Sequence, residues 1–142
     1  MLLEQVLPNC ALHSLRVHRD RRGALVSLEA QRDVPFAIER VYYLCEIPAD
    51  AERGFHAHKT LQQWAVCVSG SCVVTLDDGS KRADVRLDGP DRALHIGGGI
   101  WREMREFSPR AVLMVLASAR YDEADYIRSY DDFLKFVQEN SA

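Results

Sequence analysis

Arg53-Gly54-Phe55-His56-Ala57-His58-Lys59 is the stretch on which the reading of this chain turns. Two imidazoles stand two residues apart ahead of a run that reads as a strand, and side chains on a strand alternate faces. His56 and His58 therefore point the same way, as a metal site or a proton-transfer pair requires. A lone His-x-His is a common accident of exposed strands. Here the spacing continues: four residues separate His58 from Gln63, and six separate Gln63 from Gly70.

Outward from that centre the chain reads as short strands and turns. Strands are expected at 12–17 and 24–28, on either side of a break at Arg22-Gly23, and over 36–47 between Pro35 and Pro48. Strands 62–69 and 72–77 flank Gly70-Ser71, a two-residue hairpin signal. Asp78-Gly79 turns the chain into 82–87, and 92–96 follows Gly89-Pro90. After Gly97-Gly98-Gly99 come 100–107 and the apolar 111–117. The tail changes period. Tyr130, Phe133, Leu134, Phe136 and Val137 share a helical face, and Ser129 with Asp132 makes a capping-box start. With no repeat, low-complexity tract or linker, the pattern predicts one all-β domain, 1–142, a sandwich or barrel with a short C-terminal α-helix across its outside.

Composition narrows the function classes. A formal net charge of -3 and a pI near 5.9 leave no basic footprint for nucleic acid. Residues 1–7 are interrupted by Glu4 and followed by Pro8, so they read as neither a signal peptide nor a membrane span. Cys10, Cys45, Cys67 and Cys72 lack metal-binding spacing, and Cys45 and Cys67 sit in apolar strand patterns as small hydrophobes. A cytoplasmic chain with reduced thiols is expected.

Alternation locates a lumen. From Gln63 to Ser69 one face carries Trp64, Val66 and Val68, fit to pack on a second sheet. The other carries Gln63, Ala65, Cys67 and Ser69, small enough to leave room for a bound molecule. Arg40 and Tyr42 share a face, with Tyr43 opposite. Convergence of these faces would gather two possible bases, an arginine and a phenol. A single β-bulge would invert a strand's set.

The His-x-His-x4-Gln-x6-Gly spacing is similar to the first motif of the cupin barrels, in which a Glu metal ligand stands where this chain has Gln63. The second cupin motif ends in a further His ligand, where Gly97-Gly98-Gly99-Ile100-Trp101-Arg102 places Arg102. A neutral amide and a permanent cation are poor substitutes, since Arg offers no lone pair and repels a divalent ion. No metal and no cofactor is expected, which leaves the His pair free for proton transfer.

Over nearly its whole length the chain resembles the sugar-nucleotide 3,4-ketoisomerases of the cupin superfamily, which act on dTDP-4-keto-6-deoxyglucose. The resemblance is carried by Arg22-Gly23-Ala24-Leu25, Pro35-Phe36-Ala37-Ile38-Glu39-Arg40-Val41-Tyr42-Tyr43, the Arg53–Lys59 stretch, Gly70-Ser71-Cys72, Leu76-Asp77-Asp78-Gly79, Trp101-Arg102-Glu103-Met104, Met114-Val115-Leu116-Ala117-Ser118 and Tyr121 through Tyr130. It implies a metal-free cupin (jelly-roll) β-barrel, a homodimer with exchanged N-terminal strands, and conversion of a dTDP-linked 4-keto-6-deoxy sugar to its 3-keto isomer. Glu39 stands where the family favours Lys, Ala24 where Ser is common and Arg102 where some members have His; Asp20-Arg21 also departs. The C4 stereochemistry of the product stays open.

The chemistry suits the residues. Moving a ketone from C4 to C3 removes the C3 proton, passes through an enediol and delivers a proton to C4, which suits a neutral imidazole. His58 is read as the shuttling base and His56 as its partner or the donor on the oxygen side, an order the sequence leaves nearly balanced. Tyr42 is read as a hydrogen-bonding group to the sugar oxygens. Arg40, Arg53 and Arg102 are read as diphosphate ligands, guanidinium forks matching phosphate oxygens. Lys59 and Gln63 complete the expected substrate-binding set. A nucleotide-sugar 3,5-epimerase, a non-catalytic sugar-nucleotide-binding cupin and a metal-dependent cupin remain as alternatives.

Overall fold

The computed structural model describes residues 1–141. In chain order the strands are β1 Leu2–Leu7, β2 Cys10–Ser14, β3 Val17–Asp20, β4 Gly23–Val26, β5 Arg40–Leu44, β6 Arg53–His58, β7 Gln63–Ser69, β8 Cys72–Asp77, β9 Arg82–Leu87, β10 Arg92–Ile96, β11 Trp101–Arg105, β12 Val112–Ala117 and β13 Tyr126–Ile127. A 3-10 turn at Glu123–Asp125 precedes β13, and helix α1 spans Tyr130–Asn140.

Two sheets face each other. One has the order β1-β2-β10-β7-β12-β5 and the other β13-β6-β11-β8-β9, while β3 and β4 form a ribbon of their own. The all-β expectation holds, as a jelly-roll sandwich: the two sheets are not joined edge to edge by hydrogen bonds. Alternation fills the space between them. Ala65 and Cys67 of β7 and Leu113 and Val115 of β12 meet Val74 and Leu76 of β8 and Met104 of β11.

Several elements depart from the sequence pattern. Gly70-Ser71 is not a hairpin, because β7 pairs with β10 and β12 while β8 pairs with β9 and β11. The chain changes sheets there, with Gly70 at φ +71 and a Cβ at that position 2.3 Å from Ser108 Oγ. Ser71 N–H donates to Ser108 Oγ at 2.8 Å, and Ser108 N–H returns to the Ser71 carbonyl at 2.9 Å. These bonds to the β11–β12 connection replace the ladder a hairpin would have made.

The Trp64 and Val66 face packs on no second sheet. It lies outside, covered by Val34, Leu28, Phe36 and Ile38. That packing also explains why only Arg40–Leu44 of the expected 36–47 strand joins a sheet, since Phe36 and Ile38 are spent on covering Trp64. Glu46, at φ 54, ends the extended run. The 12–17 reading splits at Leu15-Arg16, where the chain leaves β2 for the exposed ribbon, and Leu2–Leu7 adds an edge strand that the pattern did not suggest. Cys67 is buried as expected, but Cys45 is exposed.

The helix forms as its caps predict. Ser129 Oγ accepts from Asp132 N–H, and Asp131 and Asp132 place negative charge at the positive end of the helix dipole. Phe133 is completely buried against Ala57, Trp101 and Ile127, with Phe136 and Val137 alongside. Leu134, expected on that face, is 37% exposed. The helix thereby backs the strand that carries the histidines.

Candidate active site

The local shape of β6 builds the site. β6 pairs with β11 in a register that shifts between Arg102 and Glu103, so Arg102 faces His56 and Glu103 faces Gly54, with Phe55 the extra residue. Gly54 and Phe55 both have left-handed backbones, at φ 89 and φ 57. A side chain at 54 would put Cβ 2.9 Å from the Arg102 carbonyl oxygen, which only glycine avoids. Strict alternation would send Arg53 and His56 to opposite faces. The bulge re-aims the strand, and both line one cavity of about 340 Å³ with Arg40, Tyr42, Tyr126 and Arg128.

His56 bounds that cavity. His58 lies behind it, 1% exposed, and opens onto a smaller space of about 90 Å³ shared with Arg40, Thr60, Asp122 and Asp125. The two imidazoles meet edge to face with centroids 5.0 Å apart, and the Tyr126 ring lies 4.3 Å from His58 and 5.2 Å from His56.

Asp125 fixes His58. Its Oδ2 lies 3.2 Å from His58 Nδ1. Its Oδ1 accepts from the Thr60 N–H and hydroxyl, both at 2.9 Å. An ionised carboxylate only accepts, so His58 Nδ1 carries the proton and Nε2 the lone pair. Nε2 is buried and has no protein partner. Burial pushes the His58 pKa down, Arg102 and His56 add to the shift, and the pull of Asp125 does not offset them. Burial, then Arg102, lowers His56 to about 4. Both imidazoles are neutral at pH 7.

Beneath the cavity a polar chain crosses between the sheets. Arg102 is 1% exposed and donates to the Ile100 carbonyl at 3.2 Å and to Gln63 Oε1. Gln63 Nε2 then donates to Tyr42 Oη at 2.9 Å. Gln63 and Arg102 thus occupy the floor rather than the wall. Arg40 flanks the opening with its Cζ 5.3 Å from the Tyr42 ring centroid and its buried Nε–H unpartnered. Lys59 is not brought to this group; it lines an outer groove with Lys135 and Phe136.

Sequence reasoning assigned no role to Asp125, Tyr126 or Arg128. Arg128 caps the Tyr126 ring with Cζ 4.3 Å from its centroid and is forked by Glu123 at 2.8 and 2.9 Å. The signal available was the dense polar and aromatic run Tyr121–Tyr130, which no periodicity connects to β6. Antiparallel pairing does so, setting Tyr126 opposite His58. Among the described residues no cluster of three His, Cys, Asp or Glu could hold a metal.

The family model described as FdtA (WxcM-like, C-terminal) matches residues 8–138. The chain belongs to this family. Among FdtA-like proteins it is 50% identical over 118 residues, 83% of this chain and 85% of the relative, to a TDP-4-oxo-6-deoxy-alpha-D-glucose-3,4-oxoisomerase of Aneurinibacillus thermoaerophilus. It is similar in structure to a variant of the 3,4-ketoisomerase QdtA from Thermoanaerobacterium thermosaccharolyticum, crystallised with TDP-4-keto-6-deoxyglucose. The TM-score there is 0.92 at 39% identity, covering 94% of this chain and 97% of the other. The FdtA-like fold also matches WlaRB, a TDP-quinovose 3,4-ketoisomerase of Campylobacter jejuni, with TM-score 0.88 and 48% identity over 91% and 99% of the two chains.

Proposed function

We propose that this protein is a 3,4-ketoisomerase of a dTDP-linked 4-keto-6-deoxy sugar, moving the ketone from C4 to C3 without metal or cofactor. The observation that carries the reading is His58, neutral, held by Asp125 at Nδ1 with a free Nε2 lone pair, and packed directly behind His56, which lines the cavity with Arg40, Arg53 and Arg128. The names of the 50% identical relative and of QdtA supply the substrate class.

In this reading His58 Nε2 removes the proton from C3. The C3–H electrons form the C3–C4 double bond as the C4 carbonyl π electrons move onto its oxygen, and the C3 hydroxyl proton then passes through His56 to that C4 oxygen. Collapse of the C3 oxyanion to a ketone draws the proton from His58 to C4, and the atoms balance with no external oxidant. Tyr42 donates to the oxygen on which negative charge develops. His56, on the cavity wall, orients the sugar and serves as the second proton-transfer group. Arg40, with an unpartnered N–H, and Arg53 meet the diphosphate. The protein acts as a homodimer in which the exposed N-terminal strands are shared between copies.

Incubation with dTDP-4-keto-6-deoxyglucose in D₂O, followed by NMR, tests the activity. The expected product is a 3-keto sugar, with protium at C4 wherever His58 returns the proton it took from C3 and deuterium only as far as that proton exchanges with solvent first. Inversion at C3 and C5 with the ketone still at C4 would identify a 3,5-epimerase, and binding without conversion a non-catalytic cupin. His58→Asn is expected to lower kcat by about 10²–10⁴-fold with nucleotide binding nearly intact, because a proton-transfer group acts in the transition state. Near-parental turnover in both His56→Asn and His58→Asn would remove the acid–base assignment.

A further inference from the structure

Arg102 is a fully buried guanidinium whose hydrogen bonds go to a backbone carbonyl and an amide, with no ion pair among the described residues. A buried charge without a counter-ion is expensive, and structures keep one where the charge or its geometry is used. Its side chain bridges the two sheets, from β11 to Gln63 on β7. We propose that Arg102 is a positioning residue that, by holding the Gln63 carbonyl oxygen, makes Gln63 a donor to Tyr42 and so turns the Tyr42 hydroxyl proton into the cavity.

The direction of each bond follows from donor chemistry. A guanidinium has N–H groups and no acceptor, so it can bind only the oxygen end of the Gln63 amide. The NH₂ end must then face Tyr42, 2.9 Å away. An amide NH₂ only donates, so Tyr42 Oη is the acceptor and cannot spend its own proton on Gln63. Among the described residues no acceptor takes that proton, and Tyr42 lines the 340 Å³ cavity. The hydroxyl is therefore presented as a donor before any ligand arrives, the arrangement that stabilises a developing enediolate oxygen without reorganisation. Were Gln63 a carboxylate, Tyr42 would donate to it and the cavity would lose its donor. The charged and titratable groups around Tyr42 are Arg102 from β11, Tyr126 from β13 and Arg40 from its own strand. This assignment rests on the ketoisomerase reading for its catalytic meaning, while the bond direction is measurable without turnover.

Gln63→Glu is the decisive variant, since a carboxylate keeps the pairing with Arg102 and presents only acceptors to Tyr42. With fluorotyrosine at position 42, ¹⁹F NMR of the ligand-free protein is expected to show the phenol titrating at higher pH in Gln63→Glu than in the parent, as the acceptor stabilises the protonated form. A titration that is unmoved or moves down would overturn the proposal. In kinetics with the dTDP-sugar, Gln63→Glu is expected to lower kcat as far as Tyr42→Phe does, with little change in KM, and the double variant to fall no further. Multiplying losses in the double variant, or a parental kcat in Gln63→Glu, would overturn it. Arg102→Lys, which still donates to Gln63, is expected to retain more activity than Arg102→Met; equal loss in both would count against positioning. A parental enzyme that fails to isomerise the sugar would remove the activity while leaving the NMR result to stand or fall alone.

Discussion

His58 Nδ1 lies 3.2 Å from Asp125 Oδ2, a contact across 67 residues of chain that leaves the opposite ring nitrogen as the only base His58 can offer. The same carboxylate collects the Thr60 N–H, the Thr60 hydroxyl and, at 3.3 Å, the Leu61 N–H. It is therefore held by the turn leading into β7, and His58 is held by it. Orientation of the base and closure of the loop are one structural event.

Replacement of Asp125 by Asn should expose that dependence. Asparagine can present its NH₂ to Nδ1 and stabilise the wrong tautomer. Steady-state kinetics are expected to show kcat lowered by roughly 10²–10⁴-fold, the size of losing the correct tautomer of an acid–base histidine, with KM nearly constant. A parental kcat would show that His58 keeps its tautomer without Asp125.

The depressed histidines set a pH window. His56 falls to about 4, and His58, His13 and His95 are lowered too, chiefly by burial. Below about pH 6.5 the unfolded chain binds protons at these positions that the folded chain refuses. Stability from this source is complete above pH 6.5 and declines as pH falls toward 4. Urea midpoints should drop between pH 7.5 and 5. The acid limb of kcat/KM should lie below the ordinary histidine range, because the active form is the neutral one. A limb centred near 6.5 would contradict the burial of the pair.

Chelation should leave activity intact. With Gln63 and Arg102 where ligands would stand, the site offers two imidazoles, short of the three protein ligands a catalytic zinc site uses. Dialysis against EDTA followed by assay and elemental analysis checks this. Stoichiometric zinc, iron or manganese with loss of activity on removal would reverse the assignment.

Assembly should be two-fold. The β3–β4 ribbon stands apart from both sheets with Leu25 59% exposed, and β5 is a sheet edge carrying Val41 and Tyr43 at 55% and 63% exposure. Unpaired edges and apolar strands invite a second copy, and closed dimers are the commonest solution. Light scattering is expected to give about twice 16.1 kDa, with truncation before Arg22 weakening both mass and activity. An active monomer at micromolar concentration would refute the shared strand.

Much of this molecule is written in local pattern. Strands β7 to β10 and the capped helix follow from alternation and turn chemistry within a few residues, and the His56, His58 and Gln63 spacing places three inward side chains without any long-range information. Arg53 was legible as a candidate, but its arrival beside His56 depends on the bulge at Phe55, which follows from the pairing of β6 with β11. Asp125 and Tyr126 were not legible as partners of His58, because the hydrogen bond and the strand pair that join them span 67 and 68 residues. The sheet change at Gly70-Ser71 was hidden for the same reason, since a glycine turn reads alike whether its strands pair with each other or with others. Strand periods, the helix and the type of chemistry available are properties of neighbouring residues and could be read along the chain. Which strands pair, which histidine nitrogen is free and that Arg102 lies under the cavity floor came only with the folded molecule, because those depend on contacts that local preference does not encode.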